Sequence, residues 1–291
     1  MSFLAATAAY PVSSPRYWDE AAAELRRWVA EAAKAGAKLL VFPEYASMSL
    51  ANLLDEPLRS DLAGQLGALQ ELREDYLDLH RRLAREFGVH LLAGSFPWLL
   101  ADGRFVNRAW FCLPSGEVDF QDKQIMTRFE REQWSISAGE AMKVFDTSLG
   151  RIGVAICYDC EFPLLLRAQV EAGAEILLVP SCTDAEAGAH RVRIGAQARA
   201  LESQCYVLVS PLVGEAPWSP AVDVNVGRAA IYTPPDRGFP DDGIVAEGAA
   251  NQPGWVYGDI DLAKVKSVRE AGQVLNFRHW PEQMGRIRLG N

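Results

Sequence analysis

The 291-residue sequence is poor in residues that often announce chemistry, with 4 histidines and 5 cysteines. Cys112, Cys157, Cys160, Cys182 and Cys205 are odd in number and too sparse for a disulfide framework, which points to a reducing, cytoplasmic setting. No apolar run approaches the roughly 20 residues that a membrane span needs. The apolar start, Met1 to Tyr10, has no basic segment before it, so it reads as a first strand and not as a signal peptide. Basic residues are scattered and outnumbered, 29 against 38 acidic, for a net charge of −9; nucleic acid is excluded as a partner class. The histidines offer no obvious base: His80 falls on the polar flank of a helix, His90 in a strand, His190 at a helix start and His279 near the C-terminus.

What is present is periodicity. Trp18 to Ala35 reads as an amphipathic helix, and Leu39 to Phe42 as a buried strand stopping at Pro43-Glu44. A second helical stripe runs from Leu66 through Leu69, Leu72, Tyr76, Leu79 and Leu83 to Phe87, with a stop at Gly88. Strands are expected at 89–96, 105–113, 117–121, 143–147, 151–157, 175–180, 205–210, 228–232 and 255–260, and helices at 163–173 and 190–203. Residues 211–227 and 233–254, rich in Pro, Gly and Asp, read as surface loops. Ala35-Gly-Ala-Lys-Leu-Leu-Val-Phe-Pro-Glu44 is echoed by Ala172-Gly-Ala-Glu-Ile-Leu-Leu-Val-Pro-Ser181, either by chance or as two α/β halves around one core. Sequential β-α-β units with apolar strands imply layered α/β architecture, taken as one domain over 1–291.

The apolar run Arg151 to Ile156 delivers Cys157 into Tyr158-Asp159-Cys160-Glu161-Phe162-Pro163, a turn between strand and helix. Free backbone N–H groups and a helix dipole there are expected to favour thiolate. A cysteine nucleophile needs a base, and acyl transfer needs an oxyanion partner. Glu44 sits at the edge of a strand, where partial burial would raise its pKa toward neutrality. Lys123 follows a hairpin and offers a positive charge; Glu130 could orient it, with Glu132 the near competitor. Each charge taken singly is equally consistent with a solvated surface position.

Val41-Phe-Pro-Glu44, Asp122-Lys123 and Gly153-Val-Ala-Ile-Cys157-Tyr-Asp159 with Phe162-Pro163, in this order, resemble the nitrilase superfamily of carbon–nitrogen hydrolases. Arg199-Ala-Leu-Glu202-Ser and Val256 to Leu262 support the resemblance, which covers nearly the whole chain. It implies a four-layer α-β-β-α sandwich, usually dimerised, with Glu44 as general base, Lys123 as oxyanion cation and Cys157 as nucleophile. It also implies Glu130 as the second glutamate and the Tyr158 backbone N–H as an oxyanion donor, with no metal or organic cofactor.

True nitrilases of the family place Trp-Glu after the cysteine; Tyr158-Asp159 here resembles the amidase and carbamoylase branches. The expected substrate is therefore a small-molecule amide or N-carbamoyl compound, with nitrile hydrolysis as the alternative. Glu161 stands where relatives acting on carboxylates carry arginine, so it either disfavours acidic substrates or caps the following helix. Cys182, Thr183 and Asp184 follow the echo strand and are expected to line the pocket wall opposite Glu44. Cys160 is expected beneath the helix and Cys205 in the core. A C-x-x-C redox pair (Cys157, Cys160), a zinc site adding Cys182 and His190, and a non-catalytic scaffold remain as other readings. The loops at 45–65 and 211–254 would shape the pocket, and the tail from Phe277-Arg-His-Trp280 is a candidate dimer interface.

Overall fold

A computed structural model describes residues 2–287. In chain order its elements are β1 (Ser2–Pro11), α1 (Trp18–Lys34), β2 (Leu39–Val41), the short α2 (Glu56–Arg59), α3 (Leu62–Leu69), α4 (Arg73–Phe87), β3 (His90–Leu99), β4 (Phe105–Cys112), β5 (Val118–Asp122) and α5 (Arg128–Glu132). There follow β6 (Ile136–Ser137), β7 (Val144–Thr147), β8 (Gly150–Val154), α6 (Pro163–Glu171), β9 (Ile176–Ser181), α7 (Glu186–Ser203) and β10 (Tyr206–Glu215). The chain closes with β11 (Val224–Asn225), β12 (Ala230–Tyr232), β13 (Ile244–Glu247), β14 (Gly254–Asp261), α8 (Leu262–Ala271) and α9 (Asn276–His279).

Strand alternation sets the layers, because successive side chains leave opposite faces of a sheet. In β2, Leu39 and Val41 join a core shared with Val154, Leu178 and Val207, whereas Leu40 joins a second core with Trp28, Val29, Leu83 and Ala84. The first sheet thus has α1 and α4 on its outer face and the second sheet on its inner one. Leu166 and Val170 of α6 and Val192 and Ala196 of α7 cover the far side of the second sheet. The layers run α-β-β-α, as the family resemblance implied. The strand order β5-β4-β3-β2-β1-β10-β9-β8-β7 passes between the sheets through a short parallel junction, Tyr10 with Leu212 and Pro11 with Val213. Each of β2 and β9 lies between two parallel neighbours, which explains their unbroken apolar runs.

The echo is structural in detail. Gly36 has φ of 94° and Gly173 has φ of 101°, a conformation that side chains with a Cβ avoid. Gly36 N–H donates to Ala33 O and Ala37 N–H to Ala32 O; Gly173 N–H donates to Val170 O and Ala174 N–H to Gln169 O. Both helices end in the same turn and feed a central strand closed by proline.

Several expectations need correction. The stripe 66–87 is two helices separated by a 3-10 turn at Gln70–Leu72. His80 is buried, not flanking: its Nδ1 lies 2.7 Å from Tyr76 O and its ring packs on Tyr76. Burial pushes the His80 pKa down to about 4. α7 begins at Glu186, so His190 sits inside it; the N-cap Ala185 has no side-chain acceptor, and no capping signal marks the start. β8 ends at Val154, three residues before Cys157. Segment 211–227 is no plain surface loop: β10 runs on to Glu215, and Ser219, Val222 and Asn225 are buried. Apart from these corrections, Phe277 and Trp280 at the start of the tail pack on the Arg167 guanidinium of their own chain, a contact compatible with the expected interface role. Among the described residues no helix is long and apolar enough to cross a membrane.

Candidate active site

The end of β2 is held by β3. Gly94 has φ of 75°, and a Cβ there would lie 2.2 Å from Pro43 O. Only glycine lets the two backbones approach this closely. Ser95 N–H then donates to Pro43 O, and its hydroxyl accepts from Tyr45 N–H. Tyr45 itself has φ of 56°, a strained conformation for a non-glycine residue that directly follows Glu44. Glu44 is thereby turned into the interior, 1% exposed.

Lys123 leaves β5 at its C-terminal end; its backbone N–H donates to Asn107 O of β4. The neighbouring cross-strand pair, Arg108 and Asp122, is a bidentate ion pair at 2.7 and 2.9 Å that fixes this register. Lys123 Nζ donates to Glu44 Oε1 at 2.8 Å and to Glu130 Oε2 at 2.6 Å. Asn107 Nδ2 donates to the same two residues, at 2.8 Å to Glu44 Oε1 and 3.2 Å to Glu130 Oε1. Thr127 and Glu130 form a capping box at the start of α5, and Tyr45 Oη donates to Glu130 Oε1. Glu132 is exposed and paired with Arg128, so Glu130 is the glutamate brought to Lys123.

Cys157 opens a 3-10 turn, Cys157–Glu161, with φ of 49°. Its Sγ lies 3.7 Å from Cys182 O, while Cys182 N–H donates to Glu44 Oε2 at 2.9 Å. Cys182 therefore touches Glu44 directly and does not lie opposite it. Asp159, fully buried, accepts from the N–H groups of Gln124 and Ile125 and ties the cysteine turn to the segment after Lys123. Cys160 is buried beneath α7, not α6, packed against Gly195.

The two carboxylates around Lys123 are driven apart. Burial raises Glu44 to about 7 against the pull of Lys123. Burial also acts on Glu130, but Lys123 and the Thr127 amide outweigh it and hold that carboxyl below its usual value. Lys123, facing both carboxylates, stays charged despite its burial. Burial pushes the Cys157 thiol well above its ordinary range, and Glu44 adds to this. The expected helix-dipole thiolate is thus not the resting form: α6 starts only at Pro163, and the dipole effect fades within a turn. Burial likewise lifts Asp159 to about 6.

Glu44, Lys123, Glu130, Cys157 and Tyr158 line a cleft of about 560 Å³, with Glu161, Cys182, Thr183 and Asp184 on its walls. Sequence reasoning missed Asn107, Tyr45 and the role of Asp159. Asn107-Arg108 is a polar pair inside an otherwise apolar strand, and that was the available signal.

The chain has known relatives. The profile of the carbon-nitrogen hydrolase family matches residues 5–270. "Probable hydrolase YhcX" of Bacillus subtilis is 37% identical over 88% of the chain; the chain spans about half, 49%, of that protein's length. "Deaminated glutathione amidase" of Mus musculus is 28% identical, with 89% of this chain and 78% of that protein covered. The solved structure of Saccharomyces cerevisiae Nit3, described as a member of branch 10 of the nitrilase superfamily, superposes with TM-score 0.71 at 22% identity, covering 93% of this chain and 94% of that one. The chain belongs to the carbon–nitrogen hydrolase family.

Proposed function

We propose that the protein hydrolyses a non-peptide C–N bond of a small amide or N-carbamoyl compound through a Cys157 thioester. The observation that carries this reading is one cleft floor holding a thiol, a buried carboxylate raised to about 7 and a buried ammonium held by two carboxylates. A base with a pKa near the working pH is the effective one. Glu44 meets that condition, whereas Glu130, committed to Lys123, Tyr45 and Thr127, does not.

The Cys157 proton passes to Glu44 as the sulfur attacks the carbonyl carbon. Charge develops on the carbonyl oxygen, where the Lys123 ammonium and the Tyr158 backbone N–H receive it; one such donor contributes about 3–4 kcal/mol in comparable sites. Glu44, now protonated, gives its proton to the departing ammonia or amine. It then takes a proton from water, the hydroxide adds to the thioester, and the thiol leaves reprotonated. These side chains supply every proton and charge in the sequence, and the Tyr158-Asp159 pair after the nucleophile favours amides over nitriles. The amidase name of the mouse relative agrees with the same substrate class.

The test is ammonia release from a panel of amides, N-carbamoyl amines and nitriles, with wild type and Cys157→Ala. Release that disappears in Cys157→Ala is expected. Release that persists in the variant, or a silent panel with Cys157 inert to iodoacetamide, would overturn the reading.

A further inference from the structure

Most ion pairs at this end of the molecule are closed, with short hydrogen bonds on both partners: Lys123 with Glu44 and Glu130, and Arg108 with Asp122. One pair on the cleft wall is different. Arg191 Nε lies 3.5 Å from Glu161 Oε1, with the side chains 62% and 23% exposed. Neither side chain makes another hydrogen bond among the described residues. Arg191 projects from the second turn of α7, and its guanidinium lies close to Gly188. Glu161 ends the 3-10 turn that Cys157 begins. At roughly 2 Å of rise per residue, the four-residue step puts Glu161 roughly 8 Å from the nucleophile along that turn.

The other rim charges compete weakly. Arg128 is 89% exposed and bound to Glu132. Asp184 and Asp223 are exposed and, unlike Glu161 and Arg191, stand in no ion pair among the described residues. Glu161 is different, because burial already raises its carboxyl and Arg191 only partly offsets this. A half-buried carboxylate and a guanidinium with unused N–H groups, one spacer length from the thiol, form two halves of a receptor. The carboxylate accepts an ammonium, and the guanidinium takes a carboxylate in its bidentate fork.

We infer that the cleft selects amides whose far end carries both an ammonium and a carboxylate, such as the ω-amide of an α-amino acid, with Glu161 and Arg191 exchanging their mutual contact for one charged group of the substrate each. This deepens the amidohydrolase reading and rests on it. A substrate bearing only a carboxylate leaves Glu161 without a partner in a shared, partly dry site, and one bearing only an ammonium does the same to Arg191.

The experiment compares glutamine, glutaric acid monoamide, 4-aminobutanamide and butanamide as substrates, and measures their binding to Cys157→Ala by calorimetry. Wild type is expected to prefer glutamine to either singly charged amide by about tenfold in kcat/KM, a factor that one satisfied charge-assisted hydrogen bond supplies. Glu161→Gln and Arg191→Gln are each expected to reduce the glutamine-to-butanamide ratio by about the same factor. An unchanged ratio in both variants, or a wild-type preference for the monoamide, overturns the inference. Butanamide turnover that vanishes in Cys157→Ala shows that the amidohydrolase reading stands even then. If no amide is turned over, that reading falls, and the calorimetry still decides: glutamine binding no tighter than butanamide overturns the inference, and tighter binding weakened by both substitutions upholds it.

Discussion

Two strands of the molecule are built alike and used differently. β2 and β9 each emerge from a glycine-stopped helix, run between parallel neighbours and end at a proline, and their ends meet at the cleft floor. The first half places a carboxylate after its proline, Glu44. The equivalent position in the second half is Ser181, whose hydroxyl makes only a 3.4 Å contact to Ser210 O. The next residue, Cys182, supplies a backbone N–H to Glu44 and a carbonyl to Cys157 Sγ. One half thus brings the titrating group, and the other brings main-chain dipoles that need no particular side chain. A repeated scaffold gives two well-placed strand ends, and chemistry needs a special residue at only one of them.

That asymmetry can be broken by substitution. Glu44→Gln removes the proposed base and is expected to lower kcat/KM by about 10²–10⁴-fold. Ser181→Ala at the equivalent position should change stability by no more than about 1 kcal/mol and leave the rate near wild type. Steady-state assays and urea midpoints on both variants check the contrast; equal rate losses would refute it. The pH profile sharpens the comparison. Glu44 accepts a proton only as carboxylate, and burial sets its pKa at about 7. Activity should therefore rise as pH increases through about 7 and fall below it. The Cys157 thiol, held well above its ordinary value, should produce no second rise near neutrality. An ascending limb only at alkaline pH would mean that the thiolate has to form before substrate binds.

The glycine stops give a smaller contrast. Gly36→Ala meets no atom within 4 Å and bears only the left-handed strain, about 1–2 kcal/mol. Gly173→Ala adds a contact at 2.7 Å to the Arg151 guanidinium, which bonds Ala172 O, and should be the more destabilising. Denaturant midpoints of the two variants test the order. A similarly small effect, about 1 kcal/mol in thermal unfolding, is expected for Thr127→Ala, which removes one side of the capping box under Glu130.

What the sequence revealed and what it concealed follow from range. Glycine stops, proline ends and alternating apolar positions are local signals, and they placed β2, β9 and the turn at Cys157 within a few residues. Glu44, Lys123 and Cys157 stand at the ends of such elements, where a charge or thiol after an apolar run is conspicuous. Asn107 was not legible, because its partners lie 63 and 23 positions away and only the docking of β4 against β2 and α5 joins them. His80 shows the converse. Helical periodicity put it on a polar flank, yet it faces a region built by Leu25, Ser49 and Leu50, from segments the period of α4 knows nothing about. The thiol's protonation escaped for the same reason, since burial by distant chain outweighs a local dipole.

The 2.9 Å bond from Cys182 N–H to Glu44 Oε2 spans 138 positions of sequence and joins the first half to the second. Neither half contains both the thiol and its proton acceptor, since Glu44 and Cys157 arrive on different sheets. A nascent or partly unfolded chain thus carries an ordinary cysteine without the carboxylate proposed to take its proton, and the two groups meet only when the halves dock. In the proposed mechanism, assembly and chemical competence are one event. Amide hydrogen exchange at Cys182 would report it directly, because that proton is protected only while the two halves remain engaged.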